Sequence, residues 1–513
     1  MSVVPVPRHG DSRAWRLLYY AGACAAACLL GVIAALEPER ALMGLGVGVG
    51  VAILVLVLCQ SDIYFGVVSF TLITGYAAFN RAFAGLHITV MGIPLYVGEI
   101  GLAILIGPAL WRLRRWCPQA PMLALWVWMG FSAILTITQL TTYRTDAIRD
   151  AATWYYGLYA LIGLAVWKSL NRVVIRRWML LVVVLGLLPT FTFMGLFGEA
   201  GSHIQPAFLD VPIAYVAPDT AGAQALMGVL FVLAGLHTGS ARWLGPVVWL
   251  VVPLGAAAVL ALQARALGVA GAAAIAVLLG FRVWRSVVLF ALLATVLLVV
   301  TSVLNIGVGR RLSTGLGETL SASSLLERQF STVAFVSGSD VSRFDAGTIA
   351  WRLTWWRALL AETEDDLGML LIGRGYGPDL RQVVKKYAGP SSIYDQGVDV
   401  GRPVRSPHSI VMTLLARSGL IGLGLWLLML FLSATWIAVA VRKYRRHGDE
   451  FTARFGVWVA AQLMVILGIA LFGVVLEGPV AGIPFFWLLG LAFGWAEGAP
   501  PGQPDPLTSP GYS

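Results

Sequence analysis

Charge is what this chain has least of. Asp, Glu, Lys and Arg together make up 12% of its 513 residues, whereas 58% are hydrophobic and the mean hydropathy is +0.81. Soluble domains carry about a quarter charged residues, so a surface in contact with water on all sides is excluded. Cysteine is scarce too. Cys24, Cys28, Cys59 and Cys117 fall in or beside apolar stretches, which suggests neither a disulfide framework nor a zinc site. Polar and apolar residues do not alternate either: Ala41 to Cys59 is continuously apolar, which excludes a membrane β-barrel.

What the chain does have is a series of apolar runs of about 17 to 25 residues, the length that crosses ~30 Å of hydrocarbon. It is therefore expected to be an all-α polytopic membrane protein with about 14 transmembrane helices, a range of about 12 to 14. The expected spans are Leu17 to Leu36, Ala41 to Cys59, Ile63 to Phe79, Ile93 to Trp111, Pro121 to Leu140, Ala152 to Trp167 and Trp178 to Leu196. Seven more follow at Ala221 to Leu236, Trp243 to Leu262, Ala266 to Phe281, Val287 to Leu304, Leu420 to Val441, Phe455 to Val475 and Ile483 to Trp495. The first is expected to be an uncleaved helix, because its apolar stretch is too long for a signal peptide.

The formal charge of +10 would suggest nucleic acid in a soluble protein. Here the basic residues gather beside helix ends, which reads as topology and anionic lipid contact, with no nucleic acid. Arg112, Arg114 and Arg115, Lys168 to Arg177, Arg242, Arg282 and Arg285, and Arg442 to Arg446 all fall on one side of the count, with Arg8, Arg13 and Arg16. Basic residues are retained inside, so both termini are expected in the cytoplasm and the segment 305–408 outside, as the only long polar loop. Four regions follow: helices in 1–304, the loop in 305–408, helices in 409–496 and a Gly/Pro-rich tail in 497–513, expected to be disordered. The loop's charges nearly balance, 12 Lys and Arg against 11 Asp and Glu, so it is no polybasic tether. Within it Ile349, Leu353, Trp356 and Leu360 recur at helical spacing, which predicts an amphipathic helix from about Asp345 to Glu362, suited to lying along the bilayer surface.

Chemistry is sought where the loop re-enters the membrane. His408 follows two prolines there, which disfavour helix just before it and place it at a helix start. A histidine at such a place either accepts a proton from a hydroxyl or merely caps the helix. Arg265 sits between two apolar spans with almost no loop around it, and is either a snorkelling hairpin marker or a ligand for a lipid phosphate. Arg352 and Arg357 lie among Trp351, Trp355 and Trp356. Such a cluster is either an interfacial belt or a phosphate site with a sugar stacked on tryptophan. Gly373-Arg374-Gly-Tyr-Gly377 resembles a phosphate loop only superficially, and the run from Glu362 to Asp366 reads as a solvated face rather than a metal site.

In order as well as content, these segments resemble the O-antigen ligase and Wzy-type polysaccharide polymerase superfamily of bacterial envelope glycosyltransferases. The segments are Gln263-Ala-Arg265-Ala at an outer hairpin, Arg352-Leu-Thr-Trp355-Trp356 in the loop, the glycine turn Gly373 to Gly377, His408-Ser409 at the re-entry and Gly419-Leu-Ile-Gly422 beyond it. The resemblance covers roughly residues 220–440. Ala264 stands where relatives carry Ser, Ser409 where they carry Asn, and Arg417 where many carry Glu. It implies an inverting, metal-independent transfer of a glycan from an undecaprenyl-diphosphate carrier to an acceptor hydroxyl at the periplasmic face, with no cofactor. His408, Arg265 and Arg352 would be catalytic, and Arg405, Arg357, Arg374, Trp355 and Trp356 would bind substrate. The acceptor would be a glycan or a lipid-linked glycan, and a flippase and a chain-length regulator the companion proteins. Repeat-unit polymerisation is the favoured outcome, with ligation to lipid A core or to protein as the alternative. Readings outside the family are a lipid-linked glycan transporter, for which Glu99 would be the mid-span carboxylate, and a docking module built on the loop.

Overall fold

The computed structural model describes residues 53–90, 93–187, 203–204, 214–215, 218–236, 251–252, 255, 265–285, 287–289, 291–292, 295–296, 346–393 and 405–498. The first span, most of the second and the ninth, the basic residues before position 17, Arg242, the loop between 305 and 345 and the tail beyond 498 lie outside these.

The described residues are mostly helical. In chain order, α1 is Asp62–Gly85, followed by a hairpin of β1, His87–Val90, and β2, Ile93–Tyr96. Next come α2, Val97–Leu113, α3, Ala120–Tyr143, the short α4, Thr145–Asp150, and α5, Ala152–Tyr155. A 3-10 turn at Tyr156–Leu158 joins α5 to α6, Tyr159–Ser169, and α7 is Arg172–Leu185. A two-residue pairing of β3, His203–Ile204, with β4, Ala214–Tyr215, precedes α8, Pro218–Leu233, and α9, Arg265–Gly280. The polar segment contributes α10, Ala346–Asp365, α11, Leu367–Ile372, and α12, Leu380–Ala388. Three long helices close the chain: α13, Ile410–Arg446, α14, Glu450–Ala470, and α15, Pro479–Glu497.

Among the described residues α1, α3, α13, α14 and α15 are long and apolar enough to cross a membrane. Their packing is graded. The apolar window of α15 is 83% buried and that of α13 only 33%, so α15 is the central helix and α13 a peripheral one with side chains turned outward. Lipid tails are as apolar as leucine, so burial alone does not drive such helices together, and close backbone approach takes over. Gly163 on α6 and Gly490 on α15 provide it: a Cβ at either would strike the facing backbone at Trp487 or Ala160. Gly468 on α14 does the same against Ala270 on α9, whose Cα would stand 2.8 Å from an added Cβ. Buried indoles spend their donors across helices, Trp487 to Ser69 Oγ at 2.8 Å and Trp495 to the Thr452 carbonyl at 2.9 Å.

Three sequence expectations are corrected. Residues 93–96, expected as helix, form a strand that pairs antiparallel with His87–Val90, so the helix begins only at Val97. The re-entry helix starts at Ile410, just past His408 as expected, but runs on into the span expected from Leu420 through a bend at Gly419, whose φ of 62° breaks the helical path. The loop helix buries Trp351, Trp355, Ala358 and Leu359 instead of the stripe through Trp356 and Leu360. It does not stand alone at an interface either. It packs on Leu380, Val383 and Val384 of α12 and on Met412, Leu415 and Ala416 of α13, forming a second small core. Both stripes recur at helical spacing, and the one carrying Trp351 and Trp355 is the one that meets α12 and α13.

The bundle has two polar ends. At one, Lys168 pairs with Glu497 at 2.5 Å, Arg112 with Asp62 at 2.9 Å, and Arg445 Nη1 donates to the Phe281 carbonyl at 2.6 Å. At the other lie the start of α2 with Glu99, the end of α1 with Arg81, the starts of α8, α9 and α13, and the 3-10 turn Val475–Glu477 between α14 and α15.

Candidate active site

His408 is set at the second end by its own backbone. Its φ of 53° is left-handed, an unusual state for a side chain with a Cβ, and such strain persists only where neighbours hold it. The neighbours are identifiable. Ser406 Oγ accepts the His408 N–H at 3.4 Å and donates to both carboxylate oxygens of Glu477, at 2.9 and 2.8 Å. Thr413 Oγ1, one turn into α13, donates to the same carboxylate at 2.7 Å. Trp356 closes the other side by donating its indole N–H to the Pro407 carbonyl at 2.8 Å. Glu477 therefore ties the irregular segment before His408 and the helix after it to the turn between α14 and α15. Burial pushes its carboxyl above the ordinary glutamate value, against the donations from Thr413 and Ser406 and the charge of Arg417.

The imidazole is half-buried against the edge of Trp351, with ring centroids 5.3 Å apart. Its pKa is pushed down to about 4, first by burial and then by the positive charges of Arg352 and Arg81. His408 is thus neutral at physiological pH and has a ring nitrogen able to accept a proton. The same two arginines act on the carboxylate of Asp219 in the first turn of α8. Four chain-distant groups accordingly share one electrostatic neighbourhood.

Arg81 reaches this place through a kink. Asn80, with φ 52° inside α1, is a residue type that tolerates the left-handed region. Its Oδ1 accepts from Thr220 Oγ1 and from the Arg81 N–H, both at 3.0 Å, and its amide donates to Gln224 at 3.4 Å, which welds the end of α1 to α8. Thr220 and Gln224 also line an apolar cleft of about 620 Å³ that continues inward between α1, α7, α8, α14 and α15, past Met179, Met227, Ile466 and Trp487. Thr220 joins this lining to Asn80 beside Arg81 and is itself next to Asp219, so charged groups adjoin an apolar cleft, an arrangement suited to an amphiphile with an anionic head.

The other expected site residues are distributed differently. Arg265 begins α9 at the same end of the bundle, and its side chain lies outside the described residues. Trp355 is fully buried and donates to the Ser392 carbonyl at 2.9 Å, so it is a packing residue with no face left for a sugar, contrary to the expected stacking role. Trp356 is half-buried beside Pro407. Arg374 is paired with Glu362, which takes that carboxylate out of the solvated face. Arg357 and Arg405 are exposed, and Arg405 acts on Asp379.

The glycine turn is architectural. Gly373, Gly375 and Gly377 all have positive φ, and an added Cβ at Gly373 would stand 2.6 Å from the backbone of Arg417, Ser418 and Gly419. The Arg374 and Gly375 N–H groups donate to the carbonyls of Ala416 and Arg417, both at 2.9 Å. Arg417 completes the joint, pairing with Asp150 at 2.7 Å and donating to the Pro378 carbonyl at 2.5 Å. Its charge is consumed there. Glu99 proves to sit in the first turn of α2 rather than at mid-span, where it accepts from the hydroxyls of Tyr155 and Tyr156, both at 2.7 Å.

Arg81, Asp219 and Glu477 were not singled out from sequence. Arg81 left a trace, as a basic residue in the short outer connection after the third apolar run, on the same side as Arg265 and the long loop. Glu477 left another, as the one carboxylate between the last two apolar runs. Among the described residues no group of His, Cys, Asp and Glu is arranged to hold a metal ion. No family model and no curated protein matches the chain.

Proposed function

We propose that this membrane protein transfers a glycan from an undecaprenyl-diphosphate carrier to an acceptor hydroxyl at the outer end of its bundle, polymerising the repeat units of a surface polysaccharide. In this proposal the chain has about 14 spans, an inner-membrane location with cytoplasmic termini, and the segment 305–408 in the periplasm. The observation that carries it is the meeting of a neutral His408 with Arg352 and Arg81 above an apolar cleft.

The chemistry follows from charge. As the acceptor oxygen attacks the anomeric carbon, the bond to the diphosphate breaks and negative charge grows on the leaving oxygens. Arg352 and Arg81, joined by Arg265 from the start of α9, stabilise that charge with fixed donors, so no metal is required. His408 orients the acceptor hydroxyl and takes its proton. With a pKa of about 4 the free enzyme holds a weak base. The bound diphosphate neutralises the arginine charge that depresses it, so the donor itself raises the basicity of His408. Glu477 keeps the imidazole in place through Ser406 and the loop backbone.

A transporter is the reading of another class. Glu99, the residue that favoured it, is engaged by two tyrosine hydroxyls in a terminal helical turn, which weakens that case. The deciding experiment supplies purified protein with lipid-linked repeat units alone. Ladders of increasing length are expected. Product only after addition of a separate lipid A core acceptor would instead identify a ligase, and no product with either acceptor would remove the enzymatic reading.

A further inference from the structure

The opposite end of the bundle holds a second cleft, of about 480 Å³, walled by α6, α7, α8 and α14. Arg172 and Arg176 line it with Trp167, Phe231, Phe451 and Phe455, and no carboxylate is among the lining residues. Arg176 is only 8% exposed, with its guanidinium 5.3 Å from the centroid of the Phe451 ring. Arg172 reaches Thr452 Oγ1 at 3.5 Å, and Asp449 stands 3.9 Å away, at the far limit of ion pairing.

We propose that this cleft binds an anionic phospholipid, with the headgroup phosphate on Arg172 and Arg176 and the glycerol and first acyl carbons along the aromatic wall. Two guanidiniums in an apolar enclosure draw in an anion, and their planar donor forks match phosphate oxygens. The end of the bundle agrees, because it also carries Lys168 and Arg177, and basic pockets between helices on this side are places where acidic headgroups collect. A free phosphate would use the arginines and leave four aromatic side chains without a ligand surface. A lipid uses both. The site is independent of the glycan-transfer proposal and lies at the other end of the molecule from His408.

The test uses full-length protein stripped of lipid in a nonionic detergent and titrated by native mass spectrometry. Phosphatidylglycerol is expected to give one saturable adduct, weakened about fivefold by Arg172→Gln and about 25-fold when Arg176→Gln is added, with Lys386→Gln, exposed on α12 away from the cleft, as an unaffected control. Arg172 is only partly buried, so its single variant decides the matter should the double variant not fold. Phosphatidylcholine binding as tightly, or phosphatidylglycerol binding unchanged in Arg172→Gln, overturns the proposal. Glycerol phosphate binding as tightly as the lipid would reassign the cleft to soluble phosphates and overturn the lipid assignment too.

Discussion

The two ends of the bundle treat charge in opposite ways. At the basic end Lys168 is met by Glu497 and Arg445 by the Phe281 carbonyl, while Arg172 and Arg176 face an aromatic cleft. Each of the two pairings lies at a helix terminus, and the turn after Phe281 also carries a left-handed residue, Arg282 with φ of 55°. At the other end the buried carboxylate of Glu477 is met by two hydroxyls, and His408 is held in a left-handed backbone state within the field of two arginines. Structure that stores strain and shifts the basicity of a histidine costs stability, and such arrangements persist where a site needs them.

Substitutions at the two ends should therefore differ in kind. The largest effect is expected from His408→Ala, a loss of polymer formation of about 10²- to 10⁴-fold with unchanged membrane levels, read in cells lacking the native copy. Arg352→Ala comes next, lowering turnover about 10²-fold on lipid-linked substrate through loss of leaving-group stabilisation. Glu477→Gln keeps the shape and weakens the hold on Ser406. It should reduce turnover about tenfold with little change in donor affinity, because it acts through the position of His408. If donor affinity fell and turnover did not, Glu477 would be a binding residue instead.

The pH profile sharpens the same contrast. His408 has a pKa of about 4 in the free protein, so it is neutral above that pH, and kcat/KM should stay flat from pH 5 to 8 and fall only on approaching pH 4. The acid limb of kcat should lie at higher pH, because bound diphosphate opposes the arginine charge. Arg352→Gln should move the kcat/KM limb upward as well, since one of the depressing charges is gone. Coincident limbs in the wild type would remove the donor-linked base from the mechanism. The smallest effect belongs to the basic end, where Lys168→Gln should leave turnover within about twofold, as expected for a partly exposed pair.

Much of this contrast was legible beforehand. The apolar runs that become α1, α3, α13, α14 and α15 are readable from composition, as is the polar segment ending at His408. The contents of the site were less so. Arg352 was found through its tryptophan neighbours, yet the tryptophan expected to hold sugar, Trp355, is spent in the small core under α10. Aromatic side chains look the same in sequence whether they face a ligand or a neighbouring helix. Arg81 was passed over because nothing local marks it. Its relevance comes from the kink at Asn80 and from α8, more than a hundred residues away in sequence.

The amino-acid sequence by itself determined the apolar solvent and the largely helical build, because the cost of placing charge in hydrocarbon is paid residue by residue and is readable one run at a time. Which charges meet was decided only by the tertiary structure. Glu477 reaches Ser406 across 71 residues, and His408 feels Arg81 from the end of α1, since electrostatics falls off with distance in space and is blind to distance along the chain.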